Sequence, residues 1–310
     1  MTPLARHIDS RDLRRTRWSL GRLFHKCLWP APLRHMRVIE PGFRFEPLAD
    51  RSWVMHRGAG EIARSVPFAE LIGPLDRRPV TIVASGPSAA DFPWDSLRER
   101  FVIAVNGACA VLHEVGVTPD LLVMTDAEFP RTGHHLLART PGVPMVTTCS
   151  AASVLASISP NDLLRRKFAI IERVNAWYGV PALDLTALAA LNATSGSPFR
   201  LPSGDARKFK VGWSADPELG FFSGCTVTFA ALQIAVGRGA RDIEIVGMDL
   251  GGRGRSYAEG AGAPPSLLEA QYEPYILPSF ALMSQALAGS GVVIRNHSPT
   301  CPLPGWIFGP

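Results

Sequence analysis

The feature that most constrains this fold is the alternation, from Pro79 onward, of short apolar runs with helix-like stretches. The runs are rich in β-branched residues, and this alternation is typical of a parallel sheet built from βαβ units. The sequence therefore predicts an α/β, Rossmann-like fold with a mostly parallel sheet flanked by helices. We expect its strands at Val80–Ala84, Phe101–Val105, Asp120–Thr125, Met145–Thr148, Phe168–Glu172, Asp242–Gly247 and Val292–Arg295.

One segment interrupts the alternation. Residues 175–220 are rich in Gly, Pro, Ser and Thr and are too long for an ordinary connection. We interpret them as an inserted lid or acceptor-binding region within a single domain of residues 46–310. With 46% hydrophobic and 19% charged residues, the chain has the composition of a folded globular protein.

Residues 1–45 form a predicted basic extension. The first forty residues hold nine Lys and Arg against three acidic residues, so the extension accounts for the net charge of +5. On a helical wheel, residues 11–28 separate leucines from basic residues such as Arg14, Arg22 and Lys26. This pattern predicts a helix lying on an anionic membrane surface; the alternative is a helix packed on the body of the protein.

Several classes of function are disfavoured by what the sequence lacks. The longest apolar runs are far shorter than the roughly 20 residues of a membrane-spanning helix, and the N-terminus has no signal-peptide pattern. The five cysteines form no C-x-x-C pair, and no basic face with interleaved aromatic residues indicates nucleic-acid binding. We expect a cytoplasmic protein, peripheral at the membrane, without a nucleic-acid partner.

Small polar residues follow the first three predicted strands, where ligands of open parallel sheets bind. After the first strand, Gly86 would allow close approach of a ligand, and the two flanking serines offer hydroxyl and N–H groups to phosphate or ribose oxygens. The residues at these three strand ends are Ser85, Gly86, Pro87 and Ser88, then Asn106 and Gly107, then Thr125 and Asp126.

A second cluster begins at Ser223 and Gly224, which we expect to start a helix and to direct free N–H groups at an anion. Thr226 follows them, and the later candidates are Asp249, Tyr257 in a glycine-rich loop, Glu273 and His297. Neither a G-x-G-x-x-G dinucleotide motif nor a P-loop is present in the sequence.

The two clusters together resemble bacterial CMP-sugar transferases. Their layout is similar to that of the lipooligosaccharide sialyltransferases, and the match to the WaaZ-type lipopolysaccharide core biosynthesis proteins is closer. Those proteins are assigned as transferases of 3-deoxy-D-manno-octulosonic acid (Kdo). The resemblance covers about residues 79–300 and is carried by Ile82–Ser88, Val102–Gly107, Leu122–Asp126, Thr226–Asp249 and Tyr275–Met283.

This resemblance implies a sialyltransferase-like glycosyltransferase that uses a CMP-activated keto sugar, most simply CMP-Kdo, to modify a lipopolysaccharide core acceptor. It implies nucleotide contacts at Ser85, Gly86, Ser88, Asn106 and Gly107. Ser223 and Gly224 would hold the donor's carboxylate, and Tyr257 would reach the phosphate. The sialyltransferases place a histidine base where this chain has Glu269–Glu273, so the general base is not assigned by the resemblance.

The chemistry leaves three hypotheses open. The first hypothesis is transfer from a CMP-linked keto sugar. This reaction needs a base for the acceptor hydroxyl, for which Asp126 is the first candidate, followed by Asp249 and Glu273. Because CMP leaves with one phosphate, we expect no metal or other cofactor. The pair Asp126 and Glu128 keeps open a metal-dependent transferase of nucleotide-diphosphate sugars. The third hypothesis is a sugar-nucleotide-binding protein at the membrane surface without turnover.

Overall fold

The computed structural model describes residues 31–202, 210–251, 254 and 267–308. Within them, the predicted α/β fold is confirmed: a seven-stranded parallel sheet is flanked by helices. All seven predicted strands are present and belong to this sheet. They are β4 (Val80–Val83), β5 (Phe101–Val105), β6 (Leu121–Met124), β7 (Met145–Thr147), β8 (Phe168–Ile170), β11 (Asp242–Val246) and β12 (Val293–Asn296).

The order across the sheet is β12-β11-β4-β5-β6-β7-β8, and every neighbouring pair is parallel. Its central strands are apolar on both faces because helices cover both. In β4 every residue is buried, and Val80, Ile82 and Val83 have no exposed surface.

The helices form two layers. The helices are α1 Phe68–Leu71, α2 Ala108–Glu114, α3 Phe129–Leu137, α4 Cys149–Ile158, α5 Pro160–Leu164, α6 Leu185–Ala193, α7 Val227–Gly237, α8 Leu268–Gln271 and α9 Leu277–Leu287. On one face of the sheet lie α2 to α5, and on the other lie α1, α7 and α9; each layer shares a separate apolar core with the sheet. A π-helical turn, Tyr272–Ile276, joins α8 to α9.

Helix α7 is the most buried of these elements. It packs against β4, β5 and β6, and apolar residues lie on all of its sides, as expected for a helix enclosed by protein. Its one long polar side chain within the core, Gln233, accepts hydrogen bonds from Ser214 N and Phe222 N and donates to Phe222 O and Phe229 O. Gln233 thereby fixes the segment that leads into the helix.

An N-terminal antiparallel sheet was not predicted. It consists of β1 (Phe43–Pro47), β2 (Trp53–Arg57) and β3 (Gly60–Arg64), preceded by a 3₁₀ helix at Ala31–Val38. The predicted boundary at residue 45 falls within β1, whose Phe43 and Phe45 are buried in the core on the α2 to α5 side. The Glu40 carboxylate pairs with Arg131 of α3, which ties this part of the chain to the main sheet.

The segment predicted as an insertion, residues 175–220, contains structure of its own. It holds α6 and a two-stranded antiparallel sheet of β9 (Phe199–Arg200) and β10 (Trp213–Ser214). Phe199 and Trp213 are buried in the core that α7 shares. Among the helices of the described residues, none is long and apolar enough to cross a membrane.

Candidate functional site

The turns that follow the central strands are neighbours at the carboxyl edge of the sheet. Strand β4 lies between β11 and β5, and β6 lies beyond β5. The turns at Ser85–Ser88, Asn106–Gly107, Thr125–Asp126 and Gly247–Asp249 therefore share the edge at which open parallel sheets bind ligands.

Helix α7 directs its first residue toward the same edge. Leu75, which precedes β4, donates its N–H to Arg238 O directly after the helix (2.7 Å between N and O), so α7 ends at the amino edge. Because the helix lies along the sheet, Thr226 and Val227 at its start lie at the carboxyl edge. The two clusters selected from the sequence are thus on one side of the molecule.

The turn after β4 is held by backbone contacts to the turn after β11. Gly86 N donates to Gly247 O (2.8 Å between N and O), and Ser88 N donates to Asp249 Oδ2 (3.0 Å). A Cβ at residue 86 would collide with the Asp249 carboxylate and with Gly247 O. Gly86 has an ordinary φ of −73°, so close approach and not unusual backbone geometry demands glycine there.

The sequence predicts a glycine at residue 86 because a ligand approaches its backbone, and the structure corrects that reason. The space beside its α-carbon, expected to admit a phosphate, is filled by Asp249. Asp249 is 7% exposed, and its other oxygen accepts a hydrogen bond from Thr300 Oγ1. Both carboxylate oxygens of this candidate base are engaged in holding the edge together.

Two polar atoms in the turns after β4 and β5 lack partners. Ser88 Oγ and Asn106 Oδ1 are shielded from solvent, and neither has a hydrogen-bond partner among the described residues. Asn106 also has a φ of 47°, in the left-handed region that asparagine tolerates better than most residues. A buried polar atom without a partner costs about 1–3 kcal/mol, so a ligand that bonded either atom would remove that cost. Gly107, also a candidate, caps α2 and is buried.

The start of α7 differs from the sequence prediction. The helix begins at Val227, with Thr226 as its N-cap, and the Thr226 side chain makes no capping hydrogen bond. Gly224 N, predicted to be free, donates to Lys210 O (3.1 Å between N and O) because the chain turns sharply there. Gly224 and Cys225 both have positive φ, 48° and 57°, and a Cβ at Gly224 would lie 2.6 Å from the Phe229 ring. Ser223, one residue earlier, is half-buried.

Two basic residues that sequence reasoning missed lie near this helix start. Burial raises the pKa of the Cys225 thiol, while the positive charges of Lys210 and Arg173 act in the opposite direction. Lys210 Nζ also lies 4.9 Å from the centroid of the Tyr275 ring. Arg173 comes three residues after the end of β8, so inspection of that strand end would have found it.

A buried carboxyl group, that of Glu172, was also missed. Glu172 Oε1 accepts a hydrogen bond from Cys149 N at the start of α4 (2.8 Å), and Glu172 O accepts one from Phe221 N (3.0 Å). Burial raises the pKa of this carboxyl to about 7, although the Cys149 hydrogen bonds and the nearby Arg173 charge act in the opposite direction. Glu172 therefore joins the end of β8 to α4 and to the segment that leads into α7.

The remaining described candidates, Asp126, Glu273 and His297, are exposed. Asp126 is exposed, and its Oδ1 accepts from Glu128 N (3.0 Å), an arrangement that shapes the turn before α3. Glu273 is exposed on the π-helical turn. His297 lies beyond β12, edge-on to the Phe92 ring and 3.6 Å from the Glu244 carboxylate. Tyr257 lies outside the described residues.

No group of three or more His, Cys, Asp or Glu side chains is arranged to hold a metal ion within the part of the chain that the structure describes. A cavity of about 320 Å³ opens elsewhere, at the amino edge of the sheet, where Trp213, Arg241 and Val292 contribute to its lining. None of the residues selected from the sequence lines that cavity.

The sequence matches no protein-family model and has no significant match among curated proteins. Among solved structures, the MAf glycosyltransferase of Magnetospirillum magneticum AMB-1 matches with a TM-score of 0.45 and 14% identity, over 76% of this chain and 34% of that one. The chain thus spans about a third of that protein. The sialyltransferase CstII of Campylobacter jejuni, solved with cytidine-5'-monophosphate, matches with a TM-score of 0.38 and 12% identity, over 73% of this chain and 82% of that one. These values assign neither an activity nor a substrate to this chain.

The contacts of Gly86 predict a stability effect. Gly86→Ala should lower the free energy of unfolding by about 1–3 kcal/mol, because the new methyl group must displace the Asp249 carboxylate or the Gly247 carbonyl. Gly73→Ala is the matched control, since a Cβ there meets no atom within 4 Å. Urea unfolding of both variants measures the difference, and equal effects would contradict the close approach.

Glu172 predicts a pH dependence. A carboxyl whose pKa is higher in the folded chain than in the unfolded chain favours folding at low pH, and that contribution is lost as the pH rises through the folded value. As the pH rises from about 5 to 8, ionisation of Glu172 should therefore lower the free energy of unfolding by up to about 3 kcal/mol. Glu172→Gln should remove this part of the slope in urea unfolding, while Glu99→Gln, at an exposed position, should keep it. Parallel slopes for the wild type and Glu172→Gln would exclude this role.

Proposed function

We propose that this chain is a glycosyltransferase that uses a CMP-activated keto sugar, with CMP-Kdo as the expected donor and a lipopolysaccharide core as the expected acceptor. The observation that carries the proposal is the pair of shielded, partnerless oxygens, Ser88 Oγ and Asn106 Oδ1, at the ends of two adjacent strands. Both belong to the segments whose order and spacing resemble those of the CMP-sugar transferases.

Each group of residues has a role in this proposal. The hydroxyls of Ser85 and Ser88 and the Asn106 amide bind the ribose and phosphate of the donor. At the start of α7, Ser223 and the N-terminal N–H groups of the helix bind the donor's carboxylate, and the helix dipole favours an anion there. Arg173 and Lys210 add positive charge to the same region.

The reaction needs an oxocarbenium-like centre to be stabilised and the acceptor hydroxyl to lose its proton. The donor's own carboxylate lies beside its anomeric carbon and supplies part of that stabilisation. Of the three candidate carboxylates, Asp249 is engaged through both oxygens, whereas Asp126 is exposed at the same edge. We therefore retain Asp126 as the proposed base, acting without a divalent metal.

The proposed acceptor sets the proposed location. A lipopolysaccharide core is anchored in a membrane, so an enzyme that modifies it gains from residing at that surface. The basic residues of segment 11–28 would attract an anionic leaflet, each contributing about 1 kcal/mol near the surface. We accordingly propose a cytoplasmic protein that is peripheral at the inner membrane.

A thermal-shift screen of nucleotides tests the donor class. A ligand that binds only the folded state at a hundredfold excess over Kd stabilises it by about 2.7 kcal/mol, so CMP should raise Tm more than UDP, GDP or NAD. Ser88→Ala should weaken CMP binding about tenfold through loss of one hydrogen bond. Ser96→Ala, at an exposed position in the 3₁₀ helix Trp94–Leu97, should leave CMP binding unchanged.

The results of these binding and activity measurements distinguish the proposed function from the two alternative hypotheses. No stabilisation by CMP, or equal effects of the two serine substitutions, would contradict the proposed site. Stabilisation by a nucleoside diphosphate together with activity that a chelator abolishes would favour the metal-dependent transferase. Binding of CMP-Kdo without turnover would identify a protein that only binds the sugar nucleotide.

A further inference from the structure

An unusual shortage of charge marks the surface around α6. From residue 174 to residue 199 the chain carries a single charged side chain, Asp184. That carboxylate is already used, because Asp184 Oδ1 accepts a hydrogen bond from Ala187 N and caps α6. Surface helices of water-soluble proteins ordinarily place charged and polar residues on their outer face.

The outer face of α6 is apolar or small instead. Leu188 alone of its residues is buried, and the two other leucines, Leu185 and Leu191, are each 39% exposed on either side of it. Just before the helix, Val180 is 51% exposed. The remaining exposed positions of the helix are Thr186, Ala189, Ala190 and Ala193.

Basic residues lie on an element that contacts the segment leading into α6, the segment that includes Val180. The 3₁₀ helix at Ala31–Val38 bonds to that segment on both sides of Val180, since Ala182 N donates to Pro32 O (2.7 Å between N and O) and His35 Nε2 bonds with Trp177 O (2.8 Å). The 3₁₀ helix bears Arg34, which is exposed, and Arg37, which is half-buried. Neither arginine forms an ion pair with a described residue, so their charges are available to an anionic partner.

We propose that α6, Val180 and the adjacent Arg34 and Arg37 form a docking surface for an anionic lipid bilayer. The leucines and valine enter the boundary between headgroups and acyl chains, and the arginines contact lipid phosphates. A bilayer is favoured because it combines an uncharged apolar layer with negative charge directly above it, as this surface requires. The proposed surface does not include segment 11–28, and it needs no sugar transfer.

High salt separates attraction between charges from apolar insertion into the bilayer. Attraction between exposed charges is screened at about 0.5 M salt, where the Debye length is only a few ångströms, whereas apolar insertion persists. Full-length chain should therefore keep part of its co-sedimentation with vesicles at high salt. Vesicles of phosphatidylethanolamine and phosphatidylglycerol at about 3:1 supply the anionic surface.

The deciding variant is Leu185→Gln with Leu191→Gln, which removes apolar contact without changing charge. At high salt this variant should lose at least about fivefold of its vesicle affinity, because two half-exposed leucines no longer insert. The matched control is Ile158→Gln with Leu164→Gln, two positions on α4 and α5 that are 40% and 46% exposed. The control should bind as the wild type does, and unfolding curves should show that both variants are folded.

Three results would overturn the proposal. The first is complete release of the wild type from vesicles at high salt. The second is an equal loss of binding by the α6 variant and the control. The third is unchanged vesicle binding by the α6 variant together with loss of self-association in sedimentation velocity, which would show that a second copy of the chain covers α6. Nucleotide binding is measured separately, so none of these results depends on the proposed function.

Discussion

The carboxylate of Asp249 holds together the edge of the sheet on which the proposed site depends. It accepts hydrogen bonds from Ser88 N, after β4, and from Thr300 Oγ1, after β12, while Asp249 itself follows β11. Three neighbouring strands are thereby joined at their carboxyl ends. The cost of burying this polar group is offset by these hydrogen bonds, which satisfy both of its oxygens.

The glycines at this edge follow from that interaction. Gly86 must lack a side chain so that the carboxylate can reach Ser88 N, and Gly247, with a φ of 73°, must lack one because a Cβ would strike Ala84 O. The same contacts fix where the Ser88 side chain leaves the backbone. In the proposed site, Asp249 positions the turn after β4, and the shielded oxygens of Ser88 and Asn106 are the atoms proposed to contact the ligand.

The main sheet could be predicted because its strands are buried on both faces. Such strands are continuous apolar runs, so the β4 and β5 segments are recognisable without knowledge of their partners. The N-terminal sheet escaped prediction although Phe43 and Phe45 alternate with polar residues, because the basic charge of the preceding forty residues suggested one continuous extension. Strands β9 and β10 are two residues long, too short to leave a periodic pattern.

The location of the candidate site could be predicted, but most of its contacts could not. That turns after parallel strands share an edge follows from topology, and Ser88 and Asn106 do lie at one edge of the sheet, as predicted. Which group approaches Gly86 depends on the packing of β11 against β4, about 160 residues apart in sequence, and no local pattern reports it. The predicted strand Phe168–Glu172 includes Glu172, whereas β8 ends at Ile170, so the rule that ligands bind after strand ends does not select Glu172 from the sequence.

Hydrogen–deuterium exchange with and without CMP tests most directly whether the carboxyl edge of the sheet binds a nucleotide. When CMP is bound, we expect slower exchange in peptides that cover residues 84–88, 106–107 and 223–228. Peptides that line the cavity at the amino edge, residues 197–200 and 286–292, should exchange at unchanged rates. Protection confined to the amino edge, or no protection at saturating CMP, would contradict binding at the carboxyl edge.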